Sequence, residues 1–177
     1  EHPCIGINVR KAKRRNYSGG VAGISVGFGL GRWAGCHSED LMSGRMGSVC
    51  GRDFIRLDGM VDQPDRLALL PLLDDEERST WMQWFQLAGV KRPIRSSGPM
   101  FEDGLLTLAA VQSGLGCALM REPLIESYLR SGELVKLFDL PVDDGRDYHL
   151  CVRKDSELSA EGGELKRWLK KEADRTP

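Results

Sequence analysis

FEDGLLTLAAVQSGLGCALM, residues 101–120, decides the fold. It reads as a loop, a helix, a glycine stop and a buried strand in immediate succession. Asp103 stands where an N-cap accepts from the free N–H groups of a first helical turn. Leu105, Leu106, Leu108, Ala109 and Ala110 are strong helix formers, and their density predicts a helix buried over most of its surface. Gly114 falls where a left-handed residue ends a helix, and Gly116 keeps the next turn tight. Cys117, Ala118, Leu119 and Met120 form an unbroken apolar run, the pattern of a parallel strand covered on both faces. Pro123 then opens a further helix, since proline is tolerated in a first turn. A small ligand is best placed at the helix start, residues 101–104, where N–H groups and the dipole favour an anion.

Outward from this unit, the same signals recur. Residues 62–70 suggest a short helix with Pro64 early in it, and 69–73 a short strand. Asp74 with Glu77 three residues later resembles a capping box that opens a helix. Trp81, Trp84, Phe85 and Ala88 make an apolar stripe at helical spacing, read as core rather than as a binding surface, and Gly89 is the stop. Beyond residue 120 the chain predicts a helix over 123–131 stopped by Gly132, a strand over 134–138 and a turn at Asp143-Asp144-Gly145. Tyr148, Leu150 and Val152 alternate as in a strand. Residues 164–173 predict a closing helix that buries Leu165, Trp168 and Leu169. At the front, Ile5, Ile7 and Val9 alternate as a strand, and residues 22–28 form another that runs into Gly29-Leu30-Gly31-Arg32-Trp33. Strands alternating with helices predict an α/β chain with mainly parallel sheets and right-handed crossovers.

The 177 residues carry 25 basic and 26 acidic side chains, a net charge of −1. That balance excludes a nucleic-acid surface of the usual basic kind. The run Lys11-Ala12-Lys13-Arg14-Arg15 reads as a solvated face in a neutral chain. No apolar stretch is long enough to span a membrane and the first residues form no signal peptide, so the expected compartment is the cytoplasm. Five cysteines, Cys4, Cys36, Cys50, Cys117 and Cys151, include no C-x-x-C pair and read as free, buried thiols. Cys36-His37 lacks further ligands nearby, so neither a metal nor a cofactor is expected. Gly27, Gly29 and Gly31 miss the spacing of a dinucleotide loop. Gly23-Ile24-Ser25-Val26-Gly27 matches a hydrolase elbow letter for letter, with an acid such as Asp103 and with His149 to complete a triad. An elbow needs its serine at a sharp strand-to-helix turn, whereas Ser25 falls inside a strand. A serine hydrolase using Ser25 and a stand-alone small-molecule binder remain the alternatives.

Residues 101–120, followed by EPLIESYLRSGELVKLF, resemble the effector-binding half of LysR-type transcriptional regulators, closest to the subgroup of glycine-cleavage and β-lactamase regulators. The ordered run carries the resemblance: a Phe and an acid, an Ala-Ala pair, Gly-x-Gly-x-Ala-Leu, then Gly-x-Leu-Val. Gly29-Leu30-Gly31-Arg32-Trp33 matches the subgroup's Gly-x-Gly-x-Trp. The acid and Arg usual in the strand before it are replaced by Ser25 and by Gly27 or its neighbours. The resemblance implies two Rossmann-like α/β lobes with a hinge, like type 2 periplasmic binding proteins. Lobe one would hold 1–48 and 146–177 and lobe two 49–145, with residues 39–41 as a link. It implies that the family's winged helix-turn-helix, and the first strand and helix of lobe one, precede this chain. A small anionic effector would sit in the cleft against Trp33, Glu77, Arg78, Ser79, Phe101 and Asp103. Arg78 would grip a carboxylate, and Asp103 would act as a cap more than as a ligand. The intact protein would be a homodimer or homotetramer, pairing through the helix over 123–131, with DNA reached only through the helix-turn-helix. No catalytic role is implied.

The near-neutral charge sets a first test. The chain alone should show no submicromolar, salt-dependent binding to a labelled duplex in fluorescence anisotropy; tight binding that weakens with salt would contradict this reading.

Overall fold

The structure is a computed structural model that describes residues 23–59, 61–74, 79–91, 98–101, 103–155 and 157–175. The strand expected on Ile5, Ile7 and Val9 and the basic run at 11–15 lie outside them. In chain order the elements are β1 (Ile24–Gly29), β2 (Cys36–Met42), β3 (Met46–Gly51), α1 (Arg52–Asp58), α2 (Pro64–Leu67), β4 (Leu72–Leu73), α3 (Ser79–Leu87), α4 (Gly104–Gln112), β5 (Cys117–Arg121), α5 (Glu122–Ser131), β6 (Leu134–Lys136), β7 (Asp147–Arg153) and α6 (Ala160–Ala173). The chain divides into two compact units, Glu1–Ser43 with Gly145–Pro177, and Gly44–Asp144. No helix among the described residues is long and apolar enough to cross a membrane.

The first unit is built on a sheet ordered β1-β7-β2, with β7 antiparallel to both neighbours. β1 and β2 follow one another in sequence yet do not pair; β7, from far along the chain, lies between them. β2 was expected only as a link around 39–41. Its sequence, CHSEDLM, has polar residues at both alternating positions, so it carries no two-residue period to betray a strand. Pairing with β7 makes it one. Between Asp40 and Met42 the register shifts, so Leu41 is an extra residue, a bulge. α6 begins at Ala160 rather than 164, because the Ser159 hydroxyl caps it by accepting from the Gly162 N–H. Lys166 and Lys170, one turn apart, both bind the Glu39 carboxylate of β2. Hydrogen bonds from Lys166 and then Lys170 hold Glu39 below the usual carboxylate range. The expected burial of α6 fails. None of its residues is fully buried, and Trp168 is 52% exposed.

The second unit has a mixed sheet ordered β4-β5-β3-β6. β3 runs antiparallel to β5 and β6, and β4 runs parallel to β5. Among the described strands this is the one parallel ladder, which corrects the expectation of mainly parallel sheets. β4 and β5 are joined through helices, and β5 and β6, both antiparallel to β3, run the same way on either side of it and are joined by α5; β3 and β7 enter their sheets against their neighbours.

The unbroken apolar run at 117–120 is buried on both faces, as its pattern predicts. Side chains alternate along a strand. Cys117 and Leu119 therefore join Met46, Cys50, Phe54, Leu67, Trp81, Trp84 and Phe85 on one face. Ala118 and Met120 join Val49, Leu73, Leu108, Val111 and Ile125 on the other. The Trp stripe of α3 is core. Trp84 packs edge-on to Phe85 at 5.2 Å, and its Nε1 donates to the Leu140 carbonyl at 2.8 Å. Trp81 Nε1 donates to the Leu73 carbonyl at 3.1 Å, so neither buried indole N–H is wasted.

α4 departs from expectation at its start. Thr107, Leu108, Ala110 and Val111 are buried, but Leu105 and Leu106 are 74% and 57% exposed. The helix is apolar all round, so its sequence has no periodicity to say which face turns inward. Gly114 ends it at φ +78°, as the sequence indicates. α4 lies so close to β3 that a Cβ on Gly51 would stand 2.3 Å from the Val111 carbonyl oxygen. That contact is with backbone, so it cannot be relieved by a rotamer change. Gly51→Ala should therefore destabilise the second unit by about 1–3 kcal/mol, read as a lower urea midpoint; an unchanged midpoint would show that α4 yields freely.

Candidate functional site

In the first unit the chemistry gathers at the turn after β1. Gly31 has φ +74°, and a Cβ there would meet His149 Cε1 at 2.7 Å. The turn is thus laid directly on the imidazole of β7. Trp33 packs edge-on to the same ring, centroids 5.4 Å apart at 71°. His149 Nε2 lies 3.1 Å from the Gly29 carbonyl, and Nδ1 lies 3.0 Å from Asp40 Oδ1 of β2. The Ser38 hydroxyl, also on β2, donates to the Gly31 carbonyl. Trp33, expected at the site, is therefore held by a buried histidine that the sequence reading considered only for a triad. Ser25 lies mid-strand opposite Cys151, not at a strand-to-helix turn. β2, rather than a helix, follows the glycine run, which removes the dinucleotide reading as well.

In the second unit the site grows from the end of β4. The segment after residue 98 extends that edge: the Asp74 N–H donates to the Pro99 carbonyl at 3.3 Å, and the Phe101 N–H to the Asp74 carbonyl at 2.9 Å. Glu77, which the spacing pairs with Asp74 as a capping box, lies outside the described residues, and Asp74 itself forms a parallel bridge to Met100. Its side chain is buried, at 7% exposure. Glu77 and Arg78 lie outside the described residues, and Ser79 opens α3.

This edge pairing delivers Phe101, packed partly against the core, and Asp103 to the start of α4. Asp103 Oδ1 accepts from the Leu105 N–H at 2.9 Å, the N-cap read from the sequence. Its carbonyl accepts from the N–H groups of Leu106 and Thr107. Thr107, 2% exposed, also sends its hydroxyl to that carbonyl at 3.3 Å. Phe101 and Asp103 are brought together at one helix start, whereas Trp33 belongs to the other unit.

A third arrangement was not foreseen. Arg121, the last residue of β5, makes a two-pronged bond to Asp144, Nη1 to Oδ1 at 3.0 Å and Nη2 to Oδ2 at 2.6 Å. Nη1 also donates to the Gly44 carbonyl. The two side chains are 11% and 12% exposed. Gly44 and Asp144 are the first and last residues of the second unit. One guanidinium therefore ties both ends of that unit. A lone Arg and a turn acid 23 positions apart carry no sequence signal of pairing.

Comparison with known proteins gives a consistent picture. The family model described as "LysR substrate binding domain" matches residues 15–174. The chain is 30% identical over 146 residues to the HTH-type transcriptional activator AmpR of Rhodobacter capsulatus, covering 82% of this chain and 49% of that protein. It is 27% identical over 136 residues to the glycine cleavage system transcriptional activator of Escherichia coli K12, covering 76% of this chain and 45% of that one. The chain thus spans about half the length of these relatives. The AmpR effector-binding domain of Citrobacter freundii superposes with a TM-score of 0.74 at 22% identity, over 87% of this chain and 76% of that domain, a likeness of fold.

The Arg121 clamp is testable directly. Arg121→Ala removes the guanidinium from a nearly buried carboxylate and should cost about 3 kcal/mol, with Arg121→Asp combined with Asp144→Arg recovering part of it in chemical denaturation. A loss of only a few tenths of a kcal/mol for the alanine variant, the scale of an ordinary surface change, would show that the pair holds nothing.

Proposed function

The chain belongs to the LysR substrate-binding domain family, and on that premise we propose that it is the sensor of a transcription regulator that binds DNA through a separate helix-turn-helix in the intact protein. The observation that carries this is the family match over residues 15–174 together with an α/β fold shared with solved effector domains. The neutral charge of the chain, −1, supports assigning the DNA contact elsewhere. The effector is a small anionic molecule, and Trp33, Glu77, Arg78, Ser79, Phe101 and Asp103 are its contacts. Support comes from Phe101 and Asp103, which stand together at the start of α4, and from a basic residue, Arg78, in the same contact set. Arg78 supplies a planar two-donor grip suited to a carboxylate. Phe101 gives an apolar wall, and Asp103 organises α4 as its cap.

The intact protein works in the cytoplasm as a homodimer or homotetramer and acts as a switch, not as an enzyme. An effector that binds one conformation better than another shifts the balance between them, and that difference is the signal. The test uses the intact regulator. Arg78→Ala should abolish the response of a reporter to effector while leaving operator binding in gel shift unchanged. A response equal to wild type removes Arg78 from the contact set.

A further inference from the structure

Four buried, free cysteines lie among the described residues, and two of them face each other. Cys50 of β3 and Cys117 of β5 are direct register partners in an antiparallel ladder, and both are 0% exposed. The ladder's hydrogen bonds fix what kind of pair this is. In a strand, a residue's N–H and C=O point to the same side. Cys117 spends its N–H on the Pro71 carbonyl at 2.9 Å, on the β4 side, away from β3. Ser48 and Arg52, two residues either side of Cys50, bond Leu137 and Glu133 on the β6 side, away from β5. Cys50 and Cys117 are therefore a non-hydrogen-bonded pair, in which side chains approach most closely. Opposed residues of that kind stand about 4.5 Å apart at Cα, within the roughly 4.4–6.8 Å that a disulfide spans.

We infer that Cys50 and Cys117 form a reversible disulfide site, closed by a hydroperoxide and opened by a thiol reductant. The Cys50 thiolate attacks the peroxide oxygen, becoming a sulfenic acid as the O–O bond breaks and one oxygen leaves as water. The Cys117 sulfur then attacks the Cys50 sulfur, and the sulfenic oxygen leaves as a second water. Two thiols lose two electrons and two protons; one peroxide is reduced. The thiol–thiol contact draws Cys50 below the ordinary cysteine range against the opposing effect of burial, and the chemistry balances equally with the two sulfurs exchanged. Cys151 is the contrast. Burial, and then nearby Cys36, push its thiol up, and its direct register partners are Ser25 and Ser38, Cys36 lying opposite Arg153 instead.

Access is the remaining requirement. Cys50 is one residue from the end of β3, and Cys117 is the first residue of β5, so the pair sits at one end of the sheet. The turn preceding β5 carries Leu115 at 51% exposure, and local opening of such a turn costs less than global unfolding. That opening admits a molecule as small as hydrogen peroxide.

The test treats the full chain with hydrogen peroxide, blocks residual thiols under denaturing conditions and maps peptides by mass spectrometry. A cross-linked peptide pair bearing Cys50 and Cys117, lost on dithiothreitol treatment and missing in Cys50→Ala and Cys117→Ala, is the expected result. The map of the unsubstituted chain decides the matter even where a variant fails to fold. The oxidised chain should melt at a higher temperature than the reduced one, and reduction should restore the original midpoint. Both thiols still blockable after peroxide, either one ending as a sulfinic or sulfonic acid, or a bridge to Cys4, Cys36 or Cys151 would each overturn the inference, as would a lowered midpoint.

Discussion

The bond between Arg121 and Asp144 is the constraint on which the second unit depends. A guanidinium fork matches a carboxylate in two parallel bonds, and its third direction here takes the Gly44 carbonyl. Removing both charges from water is costly, so the pair contributes only because its geometry satisfies nearly every donor and acceptor. Neighbouring backbone bonds act in the same sense. Met46 and Val142 exchange N–H and C=O at 2.9 Å each way, and the Glu122 N–H reaches the Arg45 carbonyl at 2.9 Å. The chain's entry into the unit and its exit are thus fastened to one point, the junction of β5 and α5.

The core within the fastening follows from one strand. β5 pairs on both edges and is covered on both faces, so each of its side chains has an assigned layer. Period-two alternation then sorts α1, α2 and α3 to one side and α4 and α5 to the other without further instruction. The first unit is organised by β7 in a similar way, but with less apolar covering. Its closing helix leaves Trp168 half in water and is held to β2 by Lys166 and Lys170 on Glu39. Its best-packed polar feature is His149 beneath the Gly31 turn, which is where Trp33 gains its orientation.

What could be read from residues alone is what is decided locally. The cap at Asp103, the stops at Gly89 and Gly114, the proline start of α5 and the Trp stripe depend on neighbours within one or two turns. The strand β2 was missed because its strand partner among the described residues, β7, is distant in sequence and its own pattern is polar. The exposure of Leu105 and Leu106 was missed because an all-apolar helix conceals its phase. The extension of the β4 edge through Asp74 carried no signal, because it rests on pairing with residues 99–101 further along the chain. At the candidate site, Phe101 and Asp103 were legible from helix grammar, while the contacts of His149 and the Arg121 clamp needed three-dimensional proximity.

The cap also bears on what kind of effector the start of α4 can accept. The positive end of a helix is worth most to an anion when no other charge is present. Here Asp103 already places its carboxylate there, bonded to the Leu105 N–H at 2.9 Å. A second negative group brought to the same turn gains from the dipole but loses to the carboxylate beside it, and the two effects are of similar size at a partly exposed site. The start of α4 by itself therefore does not select an anion. On the proposed contact set, selectivity for negative charge has to come from a cation, and Arg78 is the basic residue in that set. On that proposal, an effector with a carboxylate for Arg78 and a hydrogen-bond donor for Asp103 meets a more restrictive demand than negative charge alone.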